Sequence, residues 1–134
     1  MSIRKDNFVE MFLEKFAPDL TEKELKSKHC YPPNGYLWNV CELNLIPAYK
    51  GIDAMREYDN ADKDGALEFQ YDNGFMGDKV AIDLTDEYSA SDKIEKSGII
   101  EFYVIGRDFS WCYIVTHERE ACGPYFIKNN HNAI

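Results

Sequence analysis

A chain of 134 residues with a formal net charge of -9 presents a surface that repels phosphate backbones and anionic bilayers, so neither nucleic acid nor membrane is an expected partner. Hydrophobic residues at 45% and charged residues at 29% fit one globular domain over 1–134, long enough to bury roughly two-thirds of the surface its unfolded form exposes. Nine Tyr and eight Phe predict a core or groove built from rings; four cysteines without CxxC spacing, behind a charged start with no long apolar run, predict reduced thiols in a cytoplasmic protein.

Phe8, Phe12 and Phe16 recur every four residues, which predicts an amphipathic helix over 6–16, ended by Ala17-Pro18-Asp19. Thr21 and Glu24 have capping-box spacing, with Leu20 and Leu25 placed as a hydrophobic staple, so a second helix starts here. Lys26 and Lys28 suit its negative end, and a turn over 31–35 follows. The apolar run YLWNVCEL, residues 36–43, reads as a strand. Pro47 then opens a third helix carrying Ile52, Met55 and Tyr58.

Beyond the acidic loop 59–65 the period changes to two. Leu67, Phe69 and Tyr71 alternate with polar residues, Asp72-Asn73-Gly74 turns the chain, and Val80, Ile82 and Leu84 alternate again. A short helix is expected from 89 or 91 to Gly98. The runs 99–105 and 111–117, joined by a turn at Gly106-Arg107-Asp108, are apolar on both faces, as in strands covered on each side. After Gly123-Pro124, residues 125–127 form an edge strand, and 128–134 a frayed tail. The order α-α-β-α-β-β-α-β-β-β predicts an α+β fold: a mostly antiparallel sheet with two or three helices packed on it.

Four stretches carry candidate chemistry. In the strand ending Thr116-His117-Glu118, pleat alternation puts Trp111, Tyr113, Val115 and His117 on one face, with Thr116 and Glu118 on the other. His117 then stands at the rim of a ring-lined strip, and Trp111, just after a turn, is expected to be partly exposed. A relay between His117 and Glu118 is disfavoured because neighbours point apart, though Asp83 or Glu101 from another strand remain possible partners for His117. The bland reading is a histidine bonded to a backbone carbonyl at a sheet edge, and it carries the larger weight.

In NADKDGALEFQY, residues 60–71, Asn60, Asp62, Asp64 and Gly65 match the first half of a calcium loop. The closing bidentate Glu is Tyr71, so the stretch reads better as an acidic turn than as a metal site. His29-Cys30 and His117…Cys122 have no known zinc spacing, and Cys41 and Cys112 read as small core hydrophobes. No metal or other cofactor is expected. Finally, Tyr36, Trp38, Trp111, Tyr113, Tyr125 and Phe126 are either groove or core.

The run Phe109-Ser110-Trp111-Cys112-Tyr113-Ile114-Val115-Thr116-His117-Glu118, followed by Gly123-Pro124-Tyr125-Phe126, resembles the F-x-W-x-Y-x-x-T-H-E…G-P-Y-F pattern of an uncharacterised family of small Gram-positive bacterial proteins, a domain of unknown function. Leu37-Trp38-Asn39-Val40 and Gly51-Ile52-Asp53-Ala54 extend the likeness over about 37–127. The resemblance implies a stand-alone cytoplasmic protein and supplies no reaction. It directs attention to Trp111, Thr116, His117, Glu118, Gly123, Pro124 and Tyr125.

No phosphate loop, HExxH or GxSxG is present, so the sequence leans away from an enzyme. The favoured expectation is an acidic binding or inhibitory protein, in the manner of immunity proteins, with a basic protein partner and a functional surface at Trp111, Tyr113, Thr116, His117, Glu118 and Tyr125. The alternative is a small enzyme or ligand-binding protein with a pocket at the His117 rim.

Overall fold

The computed structural model describes residues 5–30, 36–72, 75–76, 82–83, 101–116 and 123–129. Helix α1 spans Lys5–Phe16, α2 Glu22–Ser27, α3 Asn39–Glu42 and α4 Ile52–Asn60. The strands are β1 (Tyr49–Lys50), β2 (Leu67–Asp72), β3 (Phe75–Met76), β4 (Ile82–Asp83), β5 (Glu101–Ile105), β6 (Trp111–Val115) and β7 (Tyr125–Lys128). They form one antiparallel sheet in the order β1-β7-β6-β5-β2-β3, with β4 also paired to β2. The fold is the expected α+β one.

The four-residue spacing of α1 works as expected. Phe8, Phe12 and Phe16 are buried, and the Phe8 and Phe12 rings meet Tyr103 of β5 edge-on at 5.5 and 5.8 Å. At α2 the capping box is formed: the Glu24 N–H donates to Thr21 Oγ1, and the Thr21 N–H donates to Glu24 Oε1, each at 3.1 Å. The Thr21 amide and hydroxyl together hold the Glu24 carboxyl below its ordinary range. Leu25 is buried, and Leu20 packs against the same core.

Residues 36–43 are not a strand. Residues 39–42 form α3, and Leu37, Trp38, Val40 and Cys41 are buried at helical spacing. An apolar run this short satisfies either period, and packing against α1 and the sheet decides for the helix. The third predicted helix also starts later than Pro47. Gly51 takes φ 62, ψ -132, a conformation reserved for glycine, and its N–H donates to the Pro124 carbonyl at 2.9 Å. That break frees Tyr49 and Lys50 to pair with β7 and lets α4 begin at Ile52. The buried stripe of α4 is Ala54 and Tyr58, which leaves Ile52 on the outside.

Strands β5, β6 and β7 are covered on both faces, as expected for the first two. On one face Tyr103, Ile105, Cys112, Ile114, Tyr125 and Ile127 pack under α1, α2 and α3. On the other, Val104, Trp111, Tyr113, Val115 and Phe126 pack with Ala54 and Tyr58 of α4. β7 is not an edge strand: β1 pairs its outer side and β6 its inner side. Lys128 belongs to β7, and the Asn129 N–H donates to the Ser110 carbonyl at 3.0 Å, so the predicted tail boundary at 128 falls inside the strand.

The expected turn after β5 is a 3-10 turn over Arg107–Phe109. Asp108 and Phe109 both have positive φ, 57 and 56, and the Phe109 ring is buried against Phe16. The turn at 31–35, most of the strand at 80–84, the helix expected before Gly98, and residues 117–122 and 130–134 lie outside the described residues.

Candidate functional site

Of the expected surface, Trp111, Tyr113, Thr116 and Tyr125 are buried. The parity prediction holds across β6, where Trp111, Tyr113 and Val115 share the α4 face. Trp111, however, is only 7% exposed rather than partly open. Its indole stacks on Phe126 at 5.4 Å and closes over Gly106. Tyr113 stacks on Tyr58 at 4.3 Å. Tyr125 faces the opposite layer, stacked with Trp38, and its hydroxyl donates to the Glu42 carboxylate. The six rings are therefore divided between two core layers, with half-buried Tyr36 stacked on Trp38. They do not line one groove. His117, Glu118 and Cys122 lie outside the described residues.

The acidic turn at 60–65 uses its polar groups locally. Asp62 Oδ1 accepts the Asp64 N–H at 3.0 Å, and the Asp64 carboxylate is ion-paired with Arg107. Lys63 Nζ donates to the carbonyls of Tyr58 and Ala61 at 2.6 and 3.2 Å. Tyr71, at the calcium loop's closing position, is part of β2. Among the described residues no group of three or more His, Cys, Asp or Glu stands close enough to hold a metal ion.

Cys30, Cys41 and Cys112 are buried in one layer. Burial pushes the Cys30 thiol up to about 11, with Lys28 offsetting part of the effect, and pushes Cys41 and Cys112 higher still. Such thiols are poor nucleophiles. With Cys122 replaced by serine, a thiol reagent at pH 8 is expected to modify none of the three in the folded protein and all three in denaturant. The same burial sets a pH dependence. Below about pH 9 both states keep these protons and stability is unaffected. Above it the unfolded chain releases protons that the folded chain retains, so stability falls as pH rises, by up to ~1.4 kcal/mol per pH unit for each of Cys41 and Cys112. Denaturant midpoints between pH 7 and 10.5 check this.

The feature the sequence reasoning missed lies at the β1 edge of the sheet. Among the described residues the exposed large hydrophobics are Leu43 (47%), Tyr49 (41%) and Ile52 (71%), all between 43 and 52. Tyr49 sits in the end strand β1, Ile52 opens α4, and the Lys50 ammonium donates to Asn44 Oδ1 at 2.7 Å, holding the turn after α3 against β1. Beside them α4 carries Asp53, Glu57 and Asp59, with Arg56 paired to Asp53 at 3.3 Å. An open concavity of about 380 Å³ is lined by Pro47, Ala48, Tyr49, Phe126 and Lys128. One sequence signal pointed here: Ile52 is two positions before Ala54, hence on the other side of the helix from Ala54 and Tyr58.

No helix among the described residues is long and apolar enough to cross a membrane. The model of a family described as a domain of unknown function, DUF4275, matches residues 4–126. No curated protein and no solved structure matches the chain.

Proposed function

The chain belongs to the DUF4275 family, and from that premise we propose that its work is binding rather than catalysis: an acidic protein that holds a basic protein partner, in the manner of inhibitory immunity proteins. The observation that carries this reading is that the exposed large hydrophobics among the described residues, Leu43, Tyr49 and Ile52, all fall in the stretch 43–52 that runs through β1 into the acidic helix α4. Exposed large hydrophobics in one stretch of chain, with charged neighbours, suit a protein contact. Tyr49 is of the residue class that dominates interface energies. The -9 net charge steers a basic partner to the surface and makes the encounter sensitive to salt.

The test uses immobilised protein and extract of the native host. At low salt a stoichiometric basic protein is expected to be retained and then released as salt rises. A Leu43→Ser/Ile52→Ser variant, folded because both positions are exposed, is expected to retain about tenfold less or lower still. Retention of nothing stoichiometric, or equal retention by the variant, would sink the reading.

A further inference from the structure

Within the concavity at the sheet edge, one contact indicates what the surface accepts. Lys128 Nζ lies 2.9 Å from Glu57 Oε1 and 5.3 Å from the centre of the Tyr49 ring. A carboxylate and an aromatic face thus converge on one cation, and that cation comes from the protein itself. Glu57 holds the Lys128 ammonium above its ordinary pKa. The pair is not sealed: the side chains are 47% and 29% exposed. An ion pair this open is weak and easily exchanged. Beneath it, Pro47, Ala48, Tyr49 and Phe126 give apolar walls suited to an alkyl stem.

Building on the binding role above, we propose that this concavity is an arginine seat on the docking surface, held in the free protein by Lys128. A partner's guanidinium would stack on Tyr49 and present its two-pronged donor face to Glu57, while its stem lies along Pro47 and Phe126. Arginine is the fitting occupant because a planar fork can do both at once, whereas an ammonium is a single, strongly hydrated point. Lys128 is displaced to solvent, which its exposure already permits. The occupant is a partner rather than a second copy, because two chains of net charge -9 repel each other.

The probe is N-acetyl-leucyl-arginyl-leucinamide, titrated by NMR into the whole protein at low salt beside the same peptide with neutral citrulline for arginine. The arginine peptide is expected to shift signals of Tyr49, Glu57 and Lys128 and to bind about tenfold tighter than its citrulline twin. Lys128→Ala is expected to tighten binding further than Lys26→Ala does; Lys26 is an exposed, ion-paired lysine on α2, so both variants change net charge equally. Glu57→Gln is expected to abolish the preference for arginine. Equal binding of the two peptides, equal gains from the two lysine variants, or an undiminished preference in Glu57→Gln would each overturn the seat. Extract retention separates the two ideas. If wild type and Glu57→Gln hold a host protein equally, the binding role stands and the seat falls. If wild type holds none while the peptide results are as expected, the seat stands and the protein-binding role falls.

Discussion

Replacing Phe12 by alanine is expected to cost about 3–5 kcal/mol of stability, the range for deleting a fully buried ring. Phe12 has no exposed surface and touches the rings of Phe8, Phe16 and Tyr103, so it joins α1 to the centre of the sheet. Its neighbours lie on a helix and a strand held by their own backbone bonds, so the vacated space cannot collapse freely. Domains of this size have roughly 5–15 kcal/mol in hand, so the variant loses a large share of its stability. Urea unfolding is the measurement: the midpoint should drop while the slope holds. Ile52→Ala, at a 71% exposed position, serves as the contrast and should stay within about 0.5 kcal/mol. A small loss for Phe12→Ala would mean that α1 is not docked as described.

The second large effect is expected at Gly106, where the reason for glycine is space rather than conformation. Its φ is -69, which any residue adopts. A Cβ, however, would lie 2.7 Å from Trp111 Cδ1 and closer still to Nε1 and Cε2. The indole cannot step aside, because it is stacked on Phe126 and meets Tyr58 edge-on. Gly106→Ala should therefore cost about 1–3 kcal/mol through forced displacement of the ring, outweighing the usual gain of roughly 0.4–1 kcal/mol from a stiffer unfolded chain. Denaturant unfolding gives the size of the loss. A change in the near-ultraviolet circular dichroism of the folded variant would place it at the indole.

The parts of this fold that could be read in advance are those where one local pattern admits one answer. Phe8, Phe12 and Phe16 leave no choice but a helix, Thr21 and Glu24 mark a helix start, and the two-sided apolar runs of β5 and β6 require cover on both faces. YLWNVCEL admits two answers, and only its neighbours choose α3. β1 is two residues long, too short to have a period at all, and it exists because β7 pairs with it. For the same reason β7 read as an edge, since nothing in 125–128 announces a partner so distant in sequence. At the candidate site, parity correctly sorted the faces of β6, but burial depends on what lies over each face, and α4 covers Trp111, expected to be partly exposed, together with Tyr113. The surface that is open is set by Gly51, whose break turned an expected helical turn into an exposed strand and left Ile52 outside.

The pairing of Tyr49 with Phe126 and Lys50 with Tyr125 has a consequence for synthesis. β7 follows every other described element in chain order, so a nascent chain on the ribosome can assemble α1, α2 and α3 long before it can seat β1. Both walls of the concavity, Tyr49 on one side and Phe126 with Lys128 on the other, come together only when that last strand has emerged from the exit tunnel.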